Sequence, residues 1–308
     1  MNYDIKLINN YEGKGRIELD RMEFLAKSMK SIAEKSLLLH LYGYSKVSIP
    51  KELNKYLNIY LTQTKGIDGS TILTLDAENF QQIPIQLELY REKAALSTLT
   101  PMALVIKSFT AALTEEEDKN LIDKPLIDEL LKFKRFFYTD TEIVSLTNRN
   151  TIPQIEFSRK EIERIENLYK TIPQPQKTIV AGLIDEMKFS REQVILTTTD
   201  RKKVVVVVSK ELFQQIKDFF GQNVSISGMA YFKPGGQLSY IKMEGFSKAD
   251  ERILKMFSKK PHKMPIQQQI AFQLREGKKP NPINDIIGKW PGDETDEQFE
   301  EMLKALRQ

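Results

Sequence analysis

Residues 204–208 are five valines in a row, and no other stretch restricts the fold as tightly. β-Branched side chains are stiff and pack well on a pleated surface, so the run reads as a strand. With no polar residue to face water, that strand is covered on both faces or curled inside a barrel. Its flanks favour the barrel. Residues 179–184 and 193–199 read as two preceding strands, and Asp200-Arg201-Lys202-Lys203 is a charged turn into the valines. Ser209 then caps a helix whose apolar side carries Leu212, Phe213, Ile216, Phe219 and Phe220, with Gly221 at its end. Strands at 224–232 and 238–246 follow, joined by the turn Lys233-Pro234-Gly235-Gly236-Gln237. Gly182 and Gly228 stand where a small barrel needs a sharply curved strand.

The order is three strands, a helix and two strands within residues 177–247. It resembles the OB-type barrel, in which the helix sits between the third and fourth strands. A small SH3-like barrel fits less well because of the full helix after Ser209. An OB-like barrel raises the question of nucleic acid, and single strands are held by aromatic platforms beside a cationic groove. The two central strands, 193–199 and 204–208, contain no aromatic residue. Tyr231, Phe232 and Tyr240 come later and flank Lys233 and Lys242. With Arg201, Lys202 and Lys203 they form the candidate nucleic-acid site, for which barrel closure and turn packing are the competing explanation.

Residues 1–172 read as an N-terminal mixed α/β domain. Tyr3, Ile5 and Leu7 alternate as a strand, and Ile17 with Leu19 suggests a hairpin return after the turn at Gly13 and Gly15. The Gly-Lys-Gly in that turn lacks the spacing of a phosphate loop. Asp20 is the expected cap of a helix carrying Met22, Leu25, Met29, Ile32 and Ala33, which ends at Gly43. His40 lies in its apolar run and reads as a core or rim residue. Strands at 58–64 and 70–75, helices at 87–96, 102–113 and 125–136, and strands at 142–147 and 154–157 follow. A Ser158-capped helix completes the domain, and two prolines, Pro173 and Pro175, mark the linker. The acidic run at 115–118 reads as a solvated loop, because consecutive carboxylates splay apart.

Catalytic provision is poor. The chain has no cysteine and only two histidines, His40 and His262, far apart in sequence. No GxSxG, HExxH, P-loop or kinase motif is present, and Asp185 with Glu186 reads as a surface pair in the loop after the first barrel strand. The expectation is a non-catalytic protein with no cofactor and no metal. No run approaches the length of a membrane span, and the first residues lack the pattern of a secretory signal. A cytoplasmic protein with no membrane partner is expected.

Residues 248–308 form a helical tail of two halves. From 247 to 290 there are ten Lys or Arg against four Asp or Glu, and from 291 to 308 two against six. The acidic half reads as a short amphipathic helix with Thr295 and Gln298 as capping box and Phe299, Met302, Leu303 and Leu306 as its stripe. A helix that short is marginal unless it docks. The segment from Gly288, GKWPGDETDEQFEEMLKAL, resembles the tails of small bacterial antitoxins encoded beside toxin genes, PIN-domain ribonucleases among them. That resemblance implies a protein partner, a toxin or other operon neighbour. Trp290 and Pro291 would anchor it, Asp293, Glu294, Asp296 and Glu297 would face a basic or metal-binding surface, and Phe299 and Leu303 would dock. The expected whole is an α+β chain: mixed α/β domain, OB-like barrel, helical tail. Its expected role is to engage a protein partner through the tail, with nucleic-acid binding by the barrel as the alternative.

Overall fold

The computed structural model describes residues 1–46, 49–67, 69–82, 98–115, 119–148, 152–189 and 192–275. The chain is α+β, with helices and two separate sheets. The first sheet has the order β2-β3-β1-β4-β5, with β1 (Asn2–Ile8) in the middle and every pairing antiparallel. β2 is Ile59–Ile67, β3 Ser70–Ala77, β4 Ile143–Asn148 and β5 Ile152–Ser158. Ile5 lies opposite Leu73 on one side and Leu146 on the other, so strand alternation aligns their side chains on one buried face.

Four helices cover that face: α1 (Leu19–Tyr42), α3 (Pro101–Leu113), α4 (Lys124–Lys132) and α5 (Arg159–Lys170), while the short α2 (Lys51–Asn54) precedes β2. α3 is buried along almost its whole length, and Phe109 from it stacks on Phe157 at 4.3 Å with Phe133 edge-on to both. The hairpin return expected at Ile17 and Leu19 does not form. β1 pairs instead with β3 and β4, two strands far along the chain, and Leu19 is exposed at the first turn of α1. The residue before that helix is Glu18, so Asp20 lies in the first turn rather than at the cap. The expected helix at 87–96 lies outside the described residues, as do 116–118 of the acidic run.

The second sheet closes on itself in the order β10-β8-β7-β6-β9, with β9 also pairing to β10. Its strands are β6 (Gln176–Lys188), β7 (Gln193–Thr197), β8 (Lys203–Val207), β9 (Asn223–Phe232) and β10 (Leu238–Lys248). All pairings are antiparallel except β8 with β10, which is parallel. The helix α6 (Lys210–Ile216) lies between β8 and β9 in sequence and buries Phe213 and Ile216 in the barrel core. Phe220, expected on the apolar side, is exposed. Asp185 and Glu186 belong to β6 rather than to a loop after it. Burial alone would raise the Glu186 carboxyl, but the hydrogen bond from Lys203 and the charges of Lys188 and Lys203 hold it below the usual range.

Alternation along β8 separates the valines. Val204, Val206 and Val208 enter the barrel core, whereas Val205 and Val207 pack outward against the core of the first sheet. Residues 1–263 form one compact unit containing both sheets, and residues 264–308 a second. In the second unit, α8 (Ile266–Arg275) is described; α7 (Glu251–Phe257) belongs to the first. Among the described residues no helix is long and apolar enough to cross a membrane.

Candidate functional site

Two features stand out where the barrel meets its neighbours. The first is a cleft of about 670 Å³ between the sheet domain and the barrel. Lys46, Asp123, Lys124, Asp128 and Tyr169 come from the sheet domain, and Tyr231, Phe232, Ser239 and Tyr240 from the β9–β10 hairpin. Asp123 anchors the sheet-domain side. Its carboxylate caps α4 by accepting from the Leu126 amide, and it accepts from the amide and hydroxyl of Ser45 at 2.7 and 2.6 Å. Burial raises its pKa despite those donors and the charge of Lys233. Lys124 lies 4.9 Å from the centre of the Tyr169 ring, and hydrogen bonding with that tyrosine raises its pKa.

On the barrel side Tyr231 and Tyr240 stack at 4.7 Å and 12°, and Tyr240 meets Tyr44 of the sheet domain at 5.3 Å. Burial raises the Tyr240 pKa, helped by the neighbouring Tyr231, Asp123 and Tyr44. The hairpin turn is held by Asn120, whose side-chain oxygen accepts from the Gln237 amide at 3.2 Å.

The second feature is a strip of cations at one end of the barrel. Residues 258–263 run from the β7–β8 turn to the β9–β10 turn. The Thr199 amide donates to the Ser258 hydroxyl at 2.7 Å, and the Thr199 hydroxyl to the Ser258 carbonyl at 3.2 Å. At the far end the Lys263 side chain lies over Gly236, where a Cβ would stand 2.9 Å from it. Arg201, Lys259, Lys260 and Lys263 pair with no carboxylate among the described residues, and only Lys202 has one, Asp200 at 3.1 Å. Lys260 is partly buried, and burial together with the charge of Lys202 holds its ammonium below the ordinary range.

These features divide the residues expected to bind nucleic acid. Tyr231 and Tyr240 reach the cleft together, and Arg201 with Lys202 joins the strip. Phe232 borders the cleft with its side chain buried in the barrel core, while its neighbour Tyr231 takes the outward position on β9. Lys203 is tied to Glu186 at 2.6 Å on the barrel wall, and the charge of Lys233 is felt by the buried Asp123. Lys46, Lys124, Asp128 and Tyr169 carried no sequence signal, being spread over the sheet domain. The tail residues Trp290, Pro291, Asp293, Glu294, Asp296, Glu297, Phe299 and Leu303 lie outside the described residues. Among the described residues, no group of three or more His, Cys, Asp or Glu is placed to hold a metal ion. No protein-family model, no curated protein and no solved structure matches the chain.

Proposed function

We propose that the barrel is of the OB type and that the chain is a non-catalytic nucleic-acid-binding protein, with the cationic end of the barrel as its backbone contact. The carrying observation is the strip itself: Arg201, Lys259, Lys260 and Lys263 without carboxylate partners among the described residues, beside Lys202. Placing a partly buried ammonium next to a second lysine costs free energy unless an anion answers it. A phosphate backbone answers several such charges at once. The strand order, the helix between β8 and β9 and the parallel β8–β10 pair support the OB reading. Because Val205 and Val207 are packed against the sheet domain, this reading puts the strand at the barrel end rather than across the outer face of β8.

Anisotropy titration of a labelled single-stranded oligonucleotide tests it. Affinity should fall steeply with salt, with a slope of log K on log salt of about −0.7 for each phosphate neutralised. The double variant Lys202→Glu/Lys260→Glu should weaken binding at least tenfold and flatten that slope. Salt-insensitive binding, or an unchanged slope in the variant, rejects the reading.

A second reading, engagement of a protein partner such as a toxin through the tail, is favoured by the change from a basic to an acidic composition at residue 291. A pull-down with the full chain and with a chain ending at Lys279 tests it. One protein captured stoichiometrically by the full chain alone supports this reading, and equal capture by both rejects it.

A further inference from the structure

The cleft contains a carboxylate with no hydrogen-bond donor among the described residues. Asp128, on α4, lines it half-buried, and its carboxylate makes no hydrogen bond or ion pair with any described residue. Burial raises its pKa against the opposing charges of Lys124 and Lys132. The carboxylate borders an open space of about 670 Å³ rather than a packed core, so its oxygens can accept from a ligand there. Around the same space stand aromatic rings, Tyr169 from the sheet domain and the stacked Tyr231–Tyr240 pair from the barrel. Lys46 and Lys170 also line it, and neither pairs with a carboxylate among the described residues.

Each of these groups asks for a different part of one ligand. The rings suit a flat aromatic system, since base–tyrosine stacking contributes about 1–3 kcal/mol in single-strand binding. The lysines suit an anionic group attached to it. The carboxylate, an acceptor with two oxygens, suits an edge that presents adjacent N–H donors. Among nucleobases guanine offers that pair, its ring N1–H and exocyclic amine. Adenine and cytosine each offer one amine beside an acceptor. The volume is within the range of small-ligand sites.

We propose that the cleft is a guanine-nucleotide site, with Asp128 accepting from the base edge, Tyr231 or Tyr169 stacking on the ring, and Lys46 and Lys170 meeting the phosphate. The nucleotide has two possible sources, a residue of a bound strand or a free mononucleotide, and the chemistry is the same for both. The first source rests on the nucleic-acid reading of the barrel end; the second does not.

Calorimetry on the full chain separates these cases. GMP, IMP and UMP are titrated as free ligands, and single strands with one guanine or none are titrated by anisotropy. GMP should bind at least tenfold more tightly than IMP, which lacks the exocyclic amine, and UMP more weakly still. Asp128→Asn should abolish the preference for GMP over IMP, and Tyr231→Leu should weaken all three; circular dichroism checks that each variant is folded. If the source is a strand, the guanine-containing oligonucleotide gains the same factor over the guanine-free one, and the gain disappears in Asp128→Asn. GMP preference that persists in Lys202→Glu/Lys260→Glu supports the cleft whether or not that variant still binds strands. Absence of guanine preference in both free and strand-borne form overturns the cleft assignment, even where strands bind through the barrel end. Unaltered preference in Asp128→Asn overturns it as well.

Discussion

Arg21→Ala should lower the stability of the chain by about 3–5 kcal/mol, the range for removing one partner of a buried ion pair. Arg21 is buried in α1 and is fully engaged. It donates to the Phe136 carbonyl at 3.0 Å, to Asn10 at 3.1 Å, and to Glu12 and Glu142 at 3.1 and 3.0 Å. Its guanidinium also lies 4.4 and 4.5 Å from the ring centres of Phe136 and Tyr138. Glu142, equally buried, accepts from the amides of Tyr11, Tyr138 and Thr139. Alanine would leave that carboxylate with backbone donors but no counter-charge, and would break the tie between α1, the loop after β1 and the approach to β4. Urea denaturation measures the loss. The pair Arg21→Met/Glu142→Gln should cost much less than the sum of the two single changes, because it removes both charges together. Additive costs would show that the network acts through packing alone.

Gly228→Ala should cost about 1–3 kcal/mol, toward the upper end, although the change adds one methyl group. Gly228 lies opposite Met243 at a register shift in the β9–β10 pair, and a Cβ there would collide with the Lys242 carbonyl oxygen. The obstacle is backbone and cannot swing aside as a side chain would. Relief requires the β9–β10 seam to open, and that seam closes the barrel. Gly182 makes a similar approach, with a Cβ 2.7 Å from the Thr197 carbonyl oxygen across the β6–β7 pair. Gly69→Ala is the control. It meets nothing within contact distance, so it carries only the strain of its positive φ, 73°. Thermal denaturation should show Gly228→Ala with the larger fall in Tm, and equal falls would show that the collision costs no more than the positive-φ strain at Gly69.

The two barrel glycines were legible in the sequence as special positions, and so was the Ser158 cap of α5. Each is a local signal: it depends on residues within a few positions, whose backbone conformations and hydrogen bonds are decided together. The valine run was local in the same sense, as a strand with no polar face. The hairpin expected at Ile17 failed because the first strand's partners come from far along the chain, Leu73 and Leu146 against Ile5. Local alternation names a strand but not its neighbour.

What the chain's order of residues determined by itself was therefore most of its elements: which stretches alternate, which turns need glycine, and the scarcity of catalytic groups. What only the tertiary structure decided was which side chains meet. The phase of β9 puts Phe232 in the barrel core and its neighbour Tyr231 toward the cleft, an outcome set by register across the sheet rather than by composition. The packing of Val205 and Val207 against the sheet domain closes one face of the barrel. Asp128 and Tyr231, over a hundred positions apart, line one cleft because hydrophobic burial packs the two sheets and their helices into one unit without regard to the polar groups carried to their boundary.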